Sequence, residues 1–169
     1  MNQSFAALLL AARRERQLVI ATALTDGAPS GQARQARLAQ QQGAGAVELR
    51  ADLLADPAQV CAALTAVRAA SSLPLLLTYR STTEGGKGAG HGQGYEDYLA
   101  SLLQLRPAVA AVDIEMACPA SKALVAEAKA GGYDVVGSCH DFTATPSAAQ
   151  ITQKLAQITA AGADITKVA

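Results

Sequence analysis

Six short apolar runs, separated by segments of helical spacing, recur along this chain at a period of roughly 30 residues. The runs are Leu18 to Ala23, Ala46 to Ala51, Leu73 to Tyr79, Ala108 to Glu115, Asp134 to Ser138 and Asp164 to Val168. Alternation of this kind predicts right-handed βαβ units and a parallel sheet. The helices between them are legible from their ends. Ser4 is an N-cap for Phe5 to Arg14, and Asp56-Pro57 places an N-cap before a proline at the first helical position, opening a helix to Ala70. Thr25-Asp26-Gly27-Ala28-Pro29 reads as a turn cluster, and Gly43 and Gly45 stop a helix over Gly31 to Gln42. Further helices are expected over Tyr95 to Leu105, Ser121 to Ala130 and Ser147 to Ala160.

Two α/β layouts fit this alternation, an open doubly wound sheet and a (β/α)8 barrel. The strands themselves carry charge, as in Val47-Glu48-Leu49-Arg50 and Val112-Asp113-Ile114-Glu115. A barrel points such groups into its mouth, whereas a sheet covered on both faces buries them. The barrel is therefore the expected fold. A closed barrel takes eight strands and typically about 250 residues. The 169 residues here supply six strands, so the expectation is one (β/α) barrel domain over 1–169, incomplete at its C-terminal side.

Composition narrows the function. Fourteen basic residues balance fourteen acidic ones, which leaves no face built for nucleic acid or an anionic membrane. The cysteines, Cys61, Cys118 and Cys139, are odd in number and lack metal-ligand spacing, as expected for free thiols in a reducing compartment. The apolar segment Phe5 to Ala12 is short, and its arginines follow it rather than precede it, the wrong order for a signal peptide. No apolar run approaches the ~20 residues of a membrane-spanning helix. A cytoplasmic location is expected.

Polar groups cluster at the ends of the apolar runs, where α/β proteins place their chemistry. Lys167, in the last run, is either a solvated lysine near the end of the chain or an amine nucleophile in a barrel mouth. His140 follows the fifth run in Ser138-Cys139-His140-Asp141 and is the best general acid/base available, against the bland alternative of a structural histidine. Glu48 and Arg50, two apart, share a strand face and form either a structural ion pair or part of a polar cradle. Arg80 suits a carboxylate or hydroxylated anion, and Glu84 is placed to orient a histidine; a surface salt bridge is their plainer reading. The loop Glu84-Gly85-Gly86-Lys87-Gly88-Ala89-Gly90-His91-Gly92 fails the phosphate-loop pattern, since no Ser or Thr follows Lys87. It is expected to be a mobile loop over a site, with His91 lacking an obvious partner.

Taken together, five stretches resemble the type I 3-dehydroquinate dehydratase family. They are Glu48-Leu49-Arg50-Ala51-Asp52-Leu53-Leu54, Leu77 to Gly86, Val112-Asp113-Ile114-Glu115, Ser138 to Pro146, and Ala163 to Ala169. The resemblance implies a (β/α)8 barrel that dehydrates 3-dehydroquinate to 3-dehydroshikimate in the shikimate pathway, by syn elimination and with no metal or organic cofactor. By family pattern Lys167 forms a Schiff base with the substrate ketone, and His140 moves the protons. Glu84 then orients His140, while Glu48, Arg50 and Arg80 hold the substrate. Thr22 is the expected counterpart of a strand-one hydroxyl that touches substrate. Dimerisation is common in the family, so a homodimer is one assembly to expect. Two rival readings remain: another Schiff-base barrel lyase or aldolase, and an incomplete barrel that serves as a non-catalytic binding or assembly module.

Overall fold

The computed structural model describes residues 4–105 and 109–169. The helices are α1 (Phe5–Glu15), α2 (Pro29–Gln41), α3 (Pro57–Ala70), α4 (Gln93–Leu103), α5 (Ser121–Ala130) and α6 (Ala148–Ala160). The strands are β1 (Ala21–Leu24), β2 (Ala46–Arg50), β3 (Leu75–Thr78), β4 (Ala111–Glu115), β5 (Asp134–Cys139) and β6 (Ile165–Val168), with 3-10 turns at Ala51–Leu53 and Thr82–Glu84. All strand pairs are parallel and the spatial order is β1-β2-β3-β4-β5-β6. A doubly wound sheet reverses its strand order at a switch point. This sheet never does, so it is the barrel layout, six strands of it.

Several ends differ from the expected ones for identifiable reasons. β1 begins at Ala21, because its ladder starts only where β2 begins, with Ala21 opposite Ala46. Leu18 lies outside that ladder and is 96% exposed. α2 takes in Pro29, whose fixed φ suits the first helical position. α4 spans Gln93–Leu103, starting and ending two residues earlier than the expected Tyr95 to Leu105. The expected start of the fourth strand at Ala108 lies outside the described residues.

Alternation along the strands divides the apolar residues into two layers. Val47, Leu49, Leu75, Leu77, Val112, Ile114 and Val135 face the helices and form one core with residues such as Val60, Leu64, Val67, Leu99 and Leu102. Ala46, Leu76, Ala111 and Val136 face the other way and meet Phe5 of α1, with Leu8, Leu9, Val19 and Ile165 packed around them. That second cluster is the barrel floor, and α1 plugs it. The Ser4 cap is borne out, since the Ala7 N–H donates to Ser4 Oγ at 3.2 Å. Asp134 Oδ2 then accepts from Ser4 Oγ (2.7 Å) and from the Ala6 N–H (2.8 Å), tying the helix start to β5. Among the described residues, no helix is long and apolar enough to cross a membrane.

Candidate active site

The floor residues determine what stands above them. Two residues further along each strand, on the same face, come Glu48, Thr78, Asp113, Ser138 and Lys167. A further step of two brings Arg50, Arg80, Glu115 and His140. The inner wall is thus apolar at the bottom and polar in its upper two layers, at the C-terminal ends of the strands where barrels carry their sites.

These groups form one connected network. Lys167 Nζ lies 3.6 Å from Asp113 Oδ2 and 3.9 Å from Glu48 Oε1, ionic contacts longer than hydrogen bonds. Thr78 Oγ1 donates to Glu48 Oε1 (2.6 Å), and Ser138 Oγ donates to Asp113 Oδ1 (2.6 Å). Arg80 is 5% exposed. Its Nη1 donates to Glu115 Oε1 (2.9 Å), Ser138 Oγ (3.1 Å) and Glu84 Oε2 (3.4 Å). Its Nη2 sits 3.0 Å from Asp113 Oδ1 as an ion pair. Burial opposes the guanidinium charge, but Asp113 and Glu115 outweigh it and hold the group firmly protonated.

Glu84 Oε2 accepts from both the His140 backbone N–H (3.2 Å) and His140 Nδ1 (2.7 Å). A carboxylate accepts, so the Nδ1 hydrogen is committed to Glu84 and Nε2 is left for proton exchange. Phe142 stacks beside the imidazole, ring centres 6.2 Å apart. Arg50 is braced by the turn that follows β2. Its Nε and Nη2 donate to Asp52 Oδ1 and Oδ2 (2.8 and 2.7 Å), and Asp52 also accepts from the Arg80 and Lys87 N–H groups.

The structure therefore gathers Lys167, His140, Glu84, Glu48, Arg50 and Arg80 at one end of the sheet. Thr22 does not join them. It pairs in register with Val47 and shares the helix-facing side of β1 with buried Leu24, while Ala23 is the residue in phase with Glu48. The expected strand-one contact is corrected on that ground. The glycine loop is also not free. The Gly86 and Gly88 N–H groups donate to Ser81 O (2.7 Å) and Arg80 O (2.9 Å), and the Ala89 N–H donates to Tyr79 Oη (2.8 Å). His91 has a partner after all: its Nε2 lies 2.5 Å from Glu115 Oε2.

Asp113, Glu115, Ser138 and Asp52 were given no role from sequence. The signal for the first two was present, since they alternate within an otherwise apolar run. Glu84, His91 and Glu115 present metal-ligating atoms within 4.8 Å of one another. The Arg80 guanidinium already supplies positive charge to both carboxylates of that trio.

Residues 20–169 match the family model described as Type I 3-dehydroquinase. A 3-dehydroquinate dehydratase of Methanosarcina acetivorans is 37% identical over 135 residues, 78% of this chain and 56% of that one. One of Klebsiella pneumoniae subsp. pneumoniae is 37% identical over 138 residues, 75% of this chain and 53% of its own. The solved 3-dehydroquinate dehydratase of Enterococcus faecalis superposes with a TM-score of 0.80 at 29% identity, covering 89% of this chain and 65% of that structure. The chain spans about half the length of the curated relatives it matches.

Proposed function

The chain belongs to the type I 3-dehydroquinase family, and on that premise we propose that it dehydrates 3-dehydroquinate to 3-dehydroshikimate through a Schiff base on Lys167. One observation carries the reading. An amine and an oriented imidazole stand on the same face of adjacent strands, Lys167 in register with Ser138 and His140 two residues beyond.

The Lys167 amine attacks the ketone carbonyl, and loss of water leaves a cationic imine. Asp113 Oδ2 and Glu48 Oε1, at 3.6 and 3.9 Å from Nζ, stabilise that cation by fixed negative charge. His140 takes a proton at Nε2 from the carbon next to the imine, and the freed electron pair forms an enamine. The nitrogen's electron pair then regenerates the imine as the bond to the neighbouring hydroxyl breaks. The proton held on His140 leaves with that hydroxyl as water. Hydrolysis returns the unsaturated ketone and the free amine. Glu84 keeps the imidazole in the tautomer and orientation this sequence needs.

Glu48, Arg50 and Arg80 hold the substrate in this reading. Arg50 is 22% exposed at its side chain and braced by Asp52. Arg80 Nη2 is buried 3.0 Å from Asp113 Oδ1, so this guanidinium acts on the substrate through its charge.

The test is intact-protein mass after incubation with 3-dehydroquinate and borohydride, which reduces an imine to a permanent amine. The expected result is a stoichiometric adduct that Lys167→Ala abolishes. A folded chain that forms no adduct would remove the reading and favour a non-catalytic binding module.

A further inference from the structure

The glycine loop brings a second imidazole to the buried carboxylates, and the proposed chemistry gives that imidazole no task. Glu115 is 0% exposed, and each of its oxygens is engaged twice. Oε1 accepts from Arg80 Nη1 (2.9 Å) and the Ser81 N–H (2.8 Å). Oε2 accepts from Ser81 Oγ (2.5 Å) and from His91 Nε2 (2.5 Å). A carboxylate paired with Arg80 only accepts, so Nε2 of His91 carries the hydrogen. The ring is held in place. The His91 N–H donates to Thr83 Oγ1 (3.1 Å), and the imidazole meets Tyr95 edge-on with centres 5.5 Å apart.

The consequence runs through Arg80. Its Nη1 has two hydrogens for three acceptors, at 2.9 Å (Glu115), 3.1 Å (Ser138) and 3.4 Å (Glu84). The Glu84 contact is the longest and yields first if Glu115 draws the guanidinium harder. Removing the His91 donor does that, because it leaves a lone pair of a fully buried carboxylate without a partner. Glu84 is the acceptor for both His140 Nδ1 and the His140 N–H.

We infer that His91 is a positioning residue for the proposed reaction: through Glu115 and Arg80 it fixes the Glu84 carboxylate that orients His140. The inference rests on the dehydratase reading of the site. It predicts damage to proton removal at His140 with imine formation at Lys167 intact, a split that a general loss of structure does not produce.

The experiment compares the full chain with His91→Ala and His91→Gln, each checked for fold by circular dichroism. Each is incubated with 3-dehydroquinate in deuterium oxide and trapped with borohydride over a time course. After proteolysis in ordinary water, the Lys167 peptide reports two quantities: adduct yield, from Lys167, and carbon-bound deuterium, from proton exchange through His140. We expect His91→Ala to match the wild-type yield while its deuterium uptake slows about tenfold, the scale of a small misplacement of a catalytic group. His91→Gln, which keeps an N–H at similar reach, restores uptake to within about threefold of wild type. Unchanged uptake in His91→Ala overturns the inference. So does equal loss of yield and uptake in both variants, which marks a purely structural residue. A wild-type chain that forms no adduct overturns the dehydratase reading itself, and the role of His91 falls with it.

Discussion

Arg80 best shows what a single residue contributes here. Its strand position was legible, and so was its proximity to Glu84, four residues on. That Asp113, Glu115 and Ser138 converge on the same guanidinium was not. Those contacts depend on the register of β3 with β4 and β4 with β5, a non-local fact that no window of sequence contains. Three carboxylates around one buried cation also set the sign of a mutation. Arg80→Gln leaves Glu84, Asp113 and Glu115 facing one another without compensation, and breaking a buried pair in this way costs about 3–5 kcal/mol. The expected outcome is a urea midpoint lowered by about that energy divided by the denaturant slope m, with Glu48→Gln, whose hydrogen-bond partner Thr78 is neutral and whose ionic contact with the more exposed Lys167 is long at 3.9 Å, showing a much smaller shift. Equal shifts would mean that Arg80 is not the hub of the network. The partner of His91 is hidden from local sequence for the same reason. Its partner lies 24 residues away, on the next strand.

At the scale of elements, the glycine loop and the 3-10 turn after β2 form one clasp over the end of β3. Gly86 is a glycine for a stated reason: a Cβ there would come within 2.1 Å of the Arg80 carbonyl oxygen and 2.5 Å of its carbon. Backbone gives way less easily than a side-chain tip. Gly86→Ala is therefore expected to lift the loop, cost about 2 kcal/mol and speed amide exchange at Gly88 and Ala89. Exchange at wild-type rates would show that the loop does not rest on Arg80. Asp52 closes the clasp from the other side. Burial pushes its carboxyl up, but the Arg50 hydrogen bonds and the Lys87 and Arg80 N–H groups outweigh burial and hold it below its ordinary value of 3.8. A depressed folded value contributes stability that is fully present above that ordinary value and is lost as pH falls through the folded one. Asp52→Asn should accordingly flatten the acid limb of the stability curve below about pH 4, read as urea midpoints across pH. An unchanged limb would place the acid sensitivity elsewhere. The helices and strands themselves were mostly legible, α5 to the residue, because caps and apolar runs are local signals. The anchoring of the loop is not legible in the same way, because glycine content says nothing about which acceptors lie beneath the chain.

For the whole molecule, the order of the strands leaves β1 and β6 each with a strand neighbour on one side only among the described residues. The β1 side is the more exposed to association. Leu18 and Ile20, just before the strand, are 96% and 65% exposed, so an apolar flank accompanies unpaired backbone groups. Open edges of this kind pair with other chains unless charge or distortion prevents it. Because neither side chain is buried, replacing both with lysine removes little folding energy while placing charge along the edge. We therefore expect Leu18→Lys with Ile20→Lys to lower concentration-dependent association, measured by light scattering over a dilution series, with circular dichroism unchanged. Leu10 supplies the contrast. It is 54% exposed but lies on α1, at the barrel floor rather than along a strand edge. If association follows the edge, Leu10→Lys leaves the scattering where it was. If Leu10→Lys reduces it as much as the edge pair does, the cause is exposed apolar surface in general, and the open strand has no special part in it.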